Sequence, residues 1–142
     1  MANLIKFEVV TPERRVVDDQ ATVVTIPGAT GYLGILPGHS PLITELSVGK
    51  ITYLDAKGTE QRLSVAWGFA EILPDKITIL AETAEKAEDI DRERAMQAKT
   101  KAEEALKAAT PQQDVSEEMK KLQRAVNRLE VFNDKRPPDV LP

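Results

Sequence analysis

Hydrophobic positions recur every second residue, or in short runs, up to about residue 82; beyond it they recur every third and fourth. Ile5, Phe7 and Val9 alternate with Lys6 and Glu8, the period of a strand with one buried face. Ala21 to Ile26 is a Thr/Val/Ile run stopped by Pro27-Gly28. Lys50 to Asp55 and Glu60 to Val65 flank Ala56-Lys57-Gly58-Thr59, a hairpin signal, and Phe69 to Leu73 and Lys76 to Ala81 flank the turn Pro74-Asp75. Many short strands at this spacing predict an antiparallel sandwich or flattened barrel.

Beyond the break the pattern predicts two helices. The first runs from about Asp89 to Ala108 and ends before Thr110-Pro111, since proline cannot donate to the helix ladder. Asp114 with Glu117 reads as a capping box that starts a second helix, continuing to about Phe132. So short a connection predicts an antiparallel hairpin. Ala95, Ala98, Ala102, Ala105 and Ala109 form a heptad-like seam on the first helix, and Met119, Leu122, Val126 and Leu129 face it from the second, with Ala125 competing with Val126. Alanine buries little area, so the hairpin is expected to be weakly closed.

Composition sharpens the break. All seven glycines and five of the nine prolines precede Glu82, whereas Ala, Glu, Lys and Arg dominate after it. The expected units are a β-sandwich over 1–84, a helical hairpin over 85–133 and a flexible tail over 134–142. The net charge of -4 argues against recruitment of nucleic acid or anionic lipid by a global basic field. No signal peptide is expected from Met1 to Glu8, and no run approaches the roughly 20 apolar residues of a membrane span.

Chemistry is sparse. There is no cysteine, and the single histidine, His39, cannot build a typical zinc site. His39 beside Ser40 is not a triad, and Gly28, Gly31 and Gly34 are turn glycines without the Gly-Lys-Ser/Thr of a phosphate loop. Trp67 reads as core or interface. Arg94 and Lys101 share one face of the first helix, and Arg124 and Arg128 sit four apart on the second. They either converge across the hairpin as a phosphate site or form a solvated face.

Four segments carry a resemblance: Gly31-Tyr-Leu-Gly-Ile-Leu-Pro-Gly-His-Ser-Pro-Leu42, Trp67-Gly-Phe-Ala-Glu71, Ile77-Thr-Ile-Leu-Ala-Glu-Thr-Ala84, and Ile90-Asp91 through Arg94-Ala95 to Glu103. In order and layout the chain resembles the epsilon subunits of bacterial F-type ATP synthases. The resemblance implies a ten-stranded antiparallel β-sandwich followed by an antiparallel two-helix hairpin. It also implies a non-catalytic place in the rotor's central stalk, peripheral on the cytoplasmic face of the plasma membrane. The partners it implies are the gamma subunit, the c-ring and, when the arm extends to inhibit hydrolysis, the alpha/beta catalytic head. It places a rotor-ring contact at Gly31, Tyr32, His39 and Ser40. No cofactor is required, but ATP is implied as a regulatory ligand. The Ile/Leu-Asp-x-x-Arg-Ala motif falls on Ile90, Asp91, Arg94 and Ala95, and further contacts on Glu85, Lys101, Arg124 and Arg128. Lys101 replaces an arginine of strong binders, keeping the charge without the planar fork. Trp67 replaces the first of a usual glycine pair.

Overall fold

The computed structural model describes residues 3–134. Seven strands come first: β1 (Ile5–Val10), β2 (Arg15–Gly28), β3 (Gly31–Ile35), β4 (Leu42–Leu46), β5 (Gly49–Asp55), β6 (Glu60–Ile72) and β7 (Lys76–Lys86). A 3-10 turn, Ala87–Asp89, leads to α1 (Arg92–Ala108) and α2 (Ser116–Asn133). The expected sandwich-then-hairpin architecture is present, with seven strands in place of ten.

The difference in number has a physical origin. β2, β6 and β7 hold 14, 13 and 11 residues, about twice the usual strand length of 5–6. In β6 the consecutive residues Trp67 and Gly68 have φ of 53° and 124°, and the strand turns there. Before the turn Glu60 to Val65 pairs with β5; after it Gly68 to Ile72 pairs with β4, while β7 follows β6 along both halves. One bent strand thus serves both layers. A Cβ on Gly68 would lie 2.0 Å from the Leu80 carbonyl oxygen, so only glycine fits.

The pairings β1–β2, β2–β5, β5–β6, β6–β7 and β7–β1 close on themselves as a flattened barrel. The β1–β7 pair is parallel, a departure from the antiparallel expectation. It is permitted because the whole β domain serves as the long crossover that a parallel pair needs.

The inward alternation of β1 is as expected: Ile5, Phe7 and Val9 are fully buried with Ile26, Ile51, Leu63, Ile72, Ile77 and Ile79. Glu8 departs from it. Its carboxylate is nearly covered, and Lys6 and Lys76 approach it at 3.2 and 3.8 Å.

α1 starts at Arg92 rather than Asp89, because Asp91 is its N-cap and accepts from the Arg94 backbone N–H at 3.2 Å. Asp114 lies one residue outside the α2 cap, Val115, and its Oδ1 accepts from Ser116 N and Oγ at 3.0 and 2.7 Å. The capping box expected with Glu117 does not form: Glu117 falls in the first turn, too close to reach back.

α2 lies between α1 and the sheet. On α1 only Ala95 and Ala102 of the alanine seam are buried; on α2 the buried positions are Ala125, Asn127, Leu129 and Val131. Ala125 therefore wins over Val126, and Met119 is exposed. α2 carries a second buried face because it packs on two partners. The flexible-tail expectation lies, from residue 135 onward, outside the described residues.

Candidate functional site

The junction of hairpin and sheet is held by polar contacts. Asn127 Nδ2 donates to the Gly49 carbonyl at 2.9 Å and Ser64 Oγ at 3.0 Å, with the Val65 carbonyl at 3.4 Å. At the C-terminal end of α2 the Arg62 guanidinium donates to the carbonyls of Val131 and Asp134, and Lys50 Nζ to that of Asp134 at 3.3 Å. These are the orphan carbonyls every helix leaves at its end, and cations suit the negative end of its dipole.

Between α1, α2 and the β6–β7 strands lies a cavity of about 580 Å³. The sheet contributes Ser64, Ala66, Thr83, Ala84 and Glu85, and α1 contributes Arg94, Ala98, Lys101, Ala102 and Ala105. From α2 come Glu118, Lys121, Arg124, Ala125 and Arg128. Five cations thus face it against two carboxylates, an excess of positive charge in a chain whose net charge is -4. Arg128 Nε donates to Glu85 Oε1 at 3.1 Å, both side chains half-buried, which ties α2 to β7. Alanines supply the floor, so helix backbones can approach a ligand closely. The volume lies in the range of small-molecule sites, and converging arginine forks match phosphate oxygens. Among the described residues no group of three or more His, Cys, Asp or Glu side chains is placed to hold a metal ion.

Residues 4–87 match the family described as ATP synthase, Delta/Epsilon chain, beta-sandwich domain, and residues 88–133 match its long alpha-helix domain. The ATP synthase epsilon chain of Koribacter versatilis is 56% identical over 112 residues, 79% of this chain and 78% of that one. That of Moorella thermoacetica is 46% identical over 129 residues, 91% of this chain and 96% of that one.

The chain belongs to the ATP synthase epsilon family.

A cryo-EM structure of the Euglena gracilis mitochondrial ATP synthase (OSCP/F1/c-ring, rotational state 1) contains a chain similar in fold. Its TM-score is 0.66 at 19% identity, covering 91% of this chain and 77% of that one.

The epsilon-type motif residues divide by position. Glu85, Arg94, Lys101, Arg124 and Arg128 line the cavity. Ile90, Asp91 and Ala95 are not among its lining residues: Ile90 is buried at the start of the arm, Asp91 caps α1 and Ala95 is buried on the α1 seam. These three set the position of α1 and hence of Arg94. Sequence reasoning missed Lys121, Ser64 and Thr83. Lys121 follows the α2 periodicity three residues before Arg124 and could have been found; Ser64 and Thr83 depend on sheet register.

Of the four rotor-ring residues, Gly31 and Tyr32 open β3, whereas His39 and Ser40 lie beyond its end at Ile35, in the loop before β4. The Tyr32 hydroxyl accepts from the Lys50 backbone N–H at 3.0 Å, which ties β3 to β5. His39 and Ser40 sit on the loop, where His39 Nδ1 is 2.6 Å from the Ser40 carbonyl oxygen. Among the described residues no helix is long and apolar enough to cross a membrane.

Proposed function

We propose that this chain is the central-stalk epsilon subunit of a proton-translocating F-type ATP synthase, and that its helical arm is a brake on ATP hydrolysis latched closed by ATP. The observation that carries the regulatory half is the cavity. It draws Arg94 and Lys101 from one helix, Arg124 and Arg128 from the other and Glu85 from the sheet, so an occupant bridges all three elements. A ligand that binds only the closed arrangement stabilises it: at 10 to 100 times its dissociation constant, by roughly 1.4–2.7 kcal/mol. Laid end to end as one helix, Arg92 to Asn133 would reach about 60 Å, long enough to pass from a stalk into a catalytic head.

The rotor half rests on family membership and on one sheet face. Ile43, Phe69 and Leu80 are 70%, 52% and 54% exposed, and cross-strand register puts them on the same outer face of β4, β6 and β7 with Glu45 and Glu71. That apolar face is the docking surface we assign to the gamma subunit. The His39–Ser40 loop is assigned to the c-ring, and the membrane is reached through partners alone, on the cytoplasmic side. The chain carries no catalytic role of its own in this reading.

Calorimetry of the full chain with and without Mg-ATP tests the latch. A rise in the melting temperature of the arm is expected, and no shift at millimolar nucleotide rejects ATP as the ligand. Truncation after Glu85 tests the brake: the β domain is expected to bind gamma yet no longer restrain hydrolysis. Undiminished restraint would exclude the arm.

A further inference from the structure

Among the described residues Trp67 is the one non-glycine residue with positive φ, at 53°. A bulky side chain there is a genuine backbone outlier, and such strain persists only where surrounding structure holds it. The indole lies outside the core, half-buried at the edge of the arm. Two α2 cations stand over its ring, Lys120 Nζ at 5.3 Å and the Arg124 guanidinium carbon at 5.6 Å from the centroid. Both fall inside the distance at which a ring quadrupole attracts a cation. Lys120 and Arg124 are four residues apart and so present one helix face. Arg124 also lines the cavity.

We propose that Trp67 is a positioning residue that latches the N-terminal half of α2 onto the sheet and fixes Arg124 at the cavity. The proposal rests on the reading of the arm as able to leave the sheet. Two points carry it. The remaining named contacts of α2 with the sheet, through Asn127, Arg128, Val131 and Asp134, fall on its C-terminal half. Trp67 supplies the contact to the other half. Finally, the turn that lets β6 serve both layers is also what aims the indole at the arm.

Strain gives the test its sign. Trp67→Gly relieves the backbone and removes the ring, so the sheet is expected to keep or gain stability while arm closure weakens; a merely structural residue would weaken both. In the full chain without nucleotide, hydrogen exchange of α2 amides from Met119 to Arg124 is expected to accelerate about 5- to 20-fold in Trp67→Gly. Lys120→Gln/Arg124→Gln, which leaves β6 intact, is expected to match it, Trp67→Phe to fall between, and the combined variant to add nothing. Trp67 is the single tryptophan, so its emission in Lys120→Gln/Arg124→Gln reports the loss of the cations directly. Exchange in Trp67→Gly within twofold of the unmodified chain overturns the latch. Exchange of α2 only together with β5–β7 in the unmodified chain instead overturns the reading that the arm opens. Because no nucleotide is present, neither result depends on ATP binding.

Discussion

Asn127→Asp is expected to open the arm while leaving the sheet intact. Asn127 is buried on α2, and its amide nitrogen is the donor to Gly49 O at 2.9 Å and Ser64 Oγ at 3.0 Å. Each bond contributes about 1 kcal/mol net. The aspartate is nearly the same shape but offers no donor when ionised. It places a carboxylate oxygen against the carbonyls of Gly49 and Val65, which the amide nitrogen now meets as a donor. An uncompensated buried charge costs about 3–5 kcal/mol, so the closed-to-open ratio is expected to fall by a factor of about 10²–10⁴. The assay is hydrogen exchange of the full chain at neutral pH, comparing α2 amides with those of β5 and β6. Burial raises the pKa of such a carboxyl, and its protonated form regains a donor. Protection of α2 in the variant is therefore expected to recover as pH falls. Protection within threefold of the unmodified chain at neutral pH would refute the claim that this amide clamps the arm.

Gly68→Ala meets the Leu80 carbonyl at 2.0 Å and forces φ of 124° on a side chain, so urea unfolding is expected to show a loss of about 3 kcal/mol or more. Gly58→Ala, at φ of 80° with open space around it, is expected to lose only about 1–2 kcal/mol. Equal losses would remove the close approach as the reason for Gly68. The Ser116 backbone N–H, then its hydroxyl, hold the Asp114 carboxyl below its ordinary value. A depressed carboxylate contributes stability above its unfolded pKa of about 3.9 and loses it as pH falls through the lower folded value. Amides at the start of α2 are thus expected to lose protection in acid before the rest of that helix, and Asp114→Ala to abolish the step. Ile43→Gln, Phe69→Gln and Leu80→Gln, all on exposed positions, are each expected to shift stability by less than about 0.5 kcal/mol yet to abolish co-purification with gamma.

What was legible in the sequence followed periodicity. Ile5, Phe7 and Val9 point inward because a half-buried strand leaves a period of two, and Ala95 and Ala102 lie buried on α1 because spacings of three and four do the same for a helix. The second face of α2 was not legible. Asn127 reads as an ordinary polar helix position until the sheet brings Gly49 and Ser64 to it. The count of ten strands came from the resemblance and not from periodicity, and the long β6 shows why seven replace them: whether a chain stops or bends at Gly68 depends on what lies across from it. Of the candidate site, the charged residues were legible as two same-face pairs. Their convergence was not, because Ala125 rather than Val126 sets how α2 turns Arg124 and Arg128 toward the cavity.

The chemistry of the arm's contacts suits an element that leaves and returns. An apolar interface large enough to hold two helices would, on opening, expose a patch prone to association. Here α2 meets the sheet largely through an amide, five cations, an aromatic face and helix-end carbonyls. Water can replace each of these partners, so each contributes only the small net energy of an exchanged hydrogen bond or screened charge. The buried apolar residues of the two helices are Leu129, Val131 and the small alanines Ala95, Ala102 and Ala125. Closure is then the sum of several terms of about 1 kcal/mol each, comparable with what a bound polyanion adds by mass action. A core of leucines in the same place would exceed that contribution severalfold and leave the ligand nothing to decide.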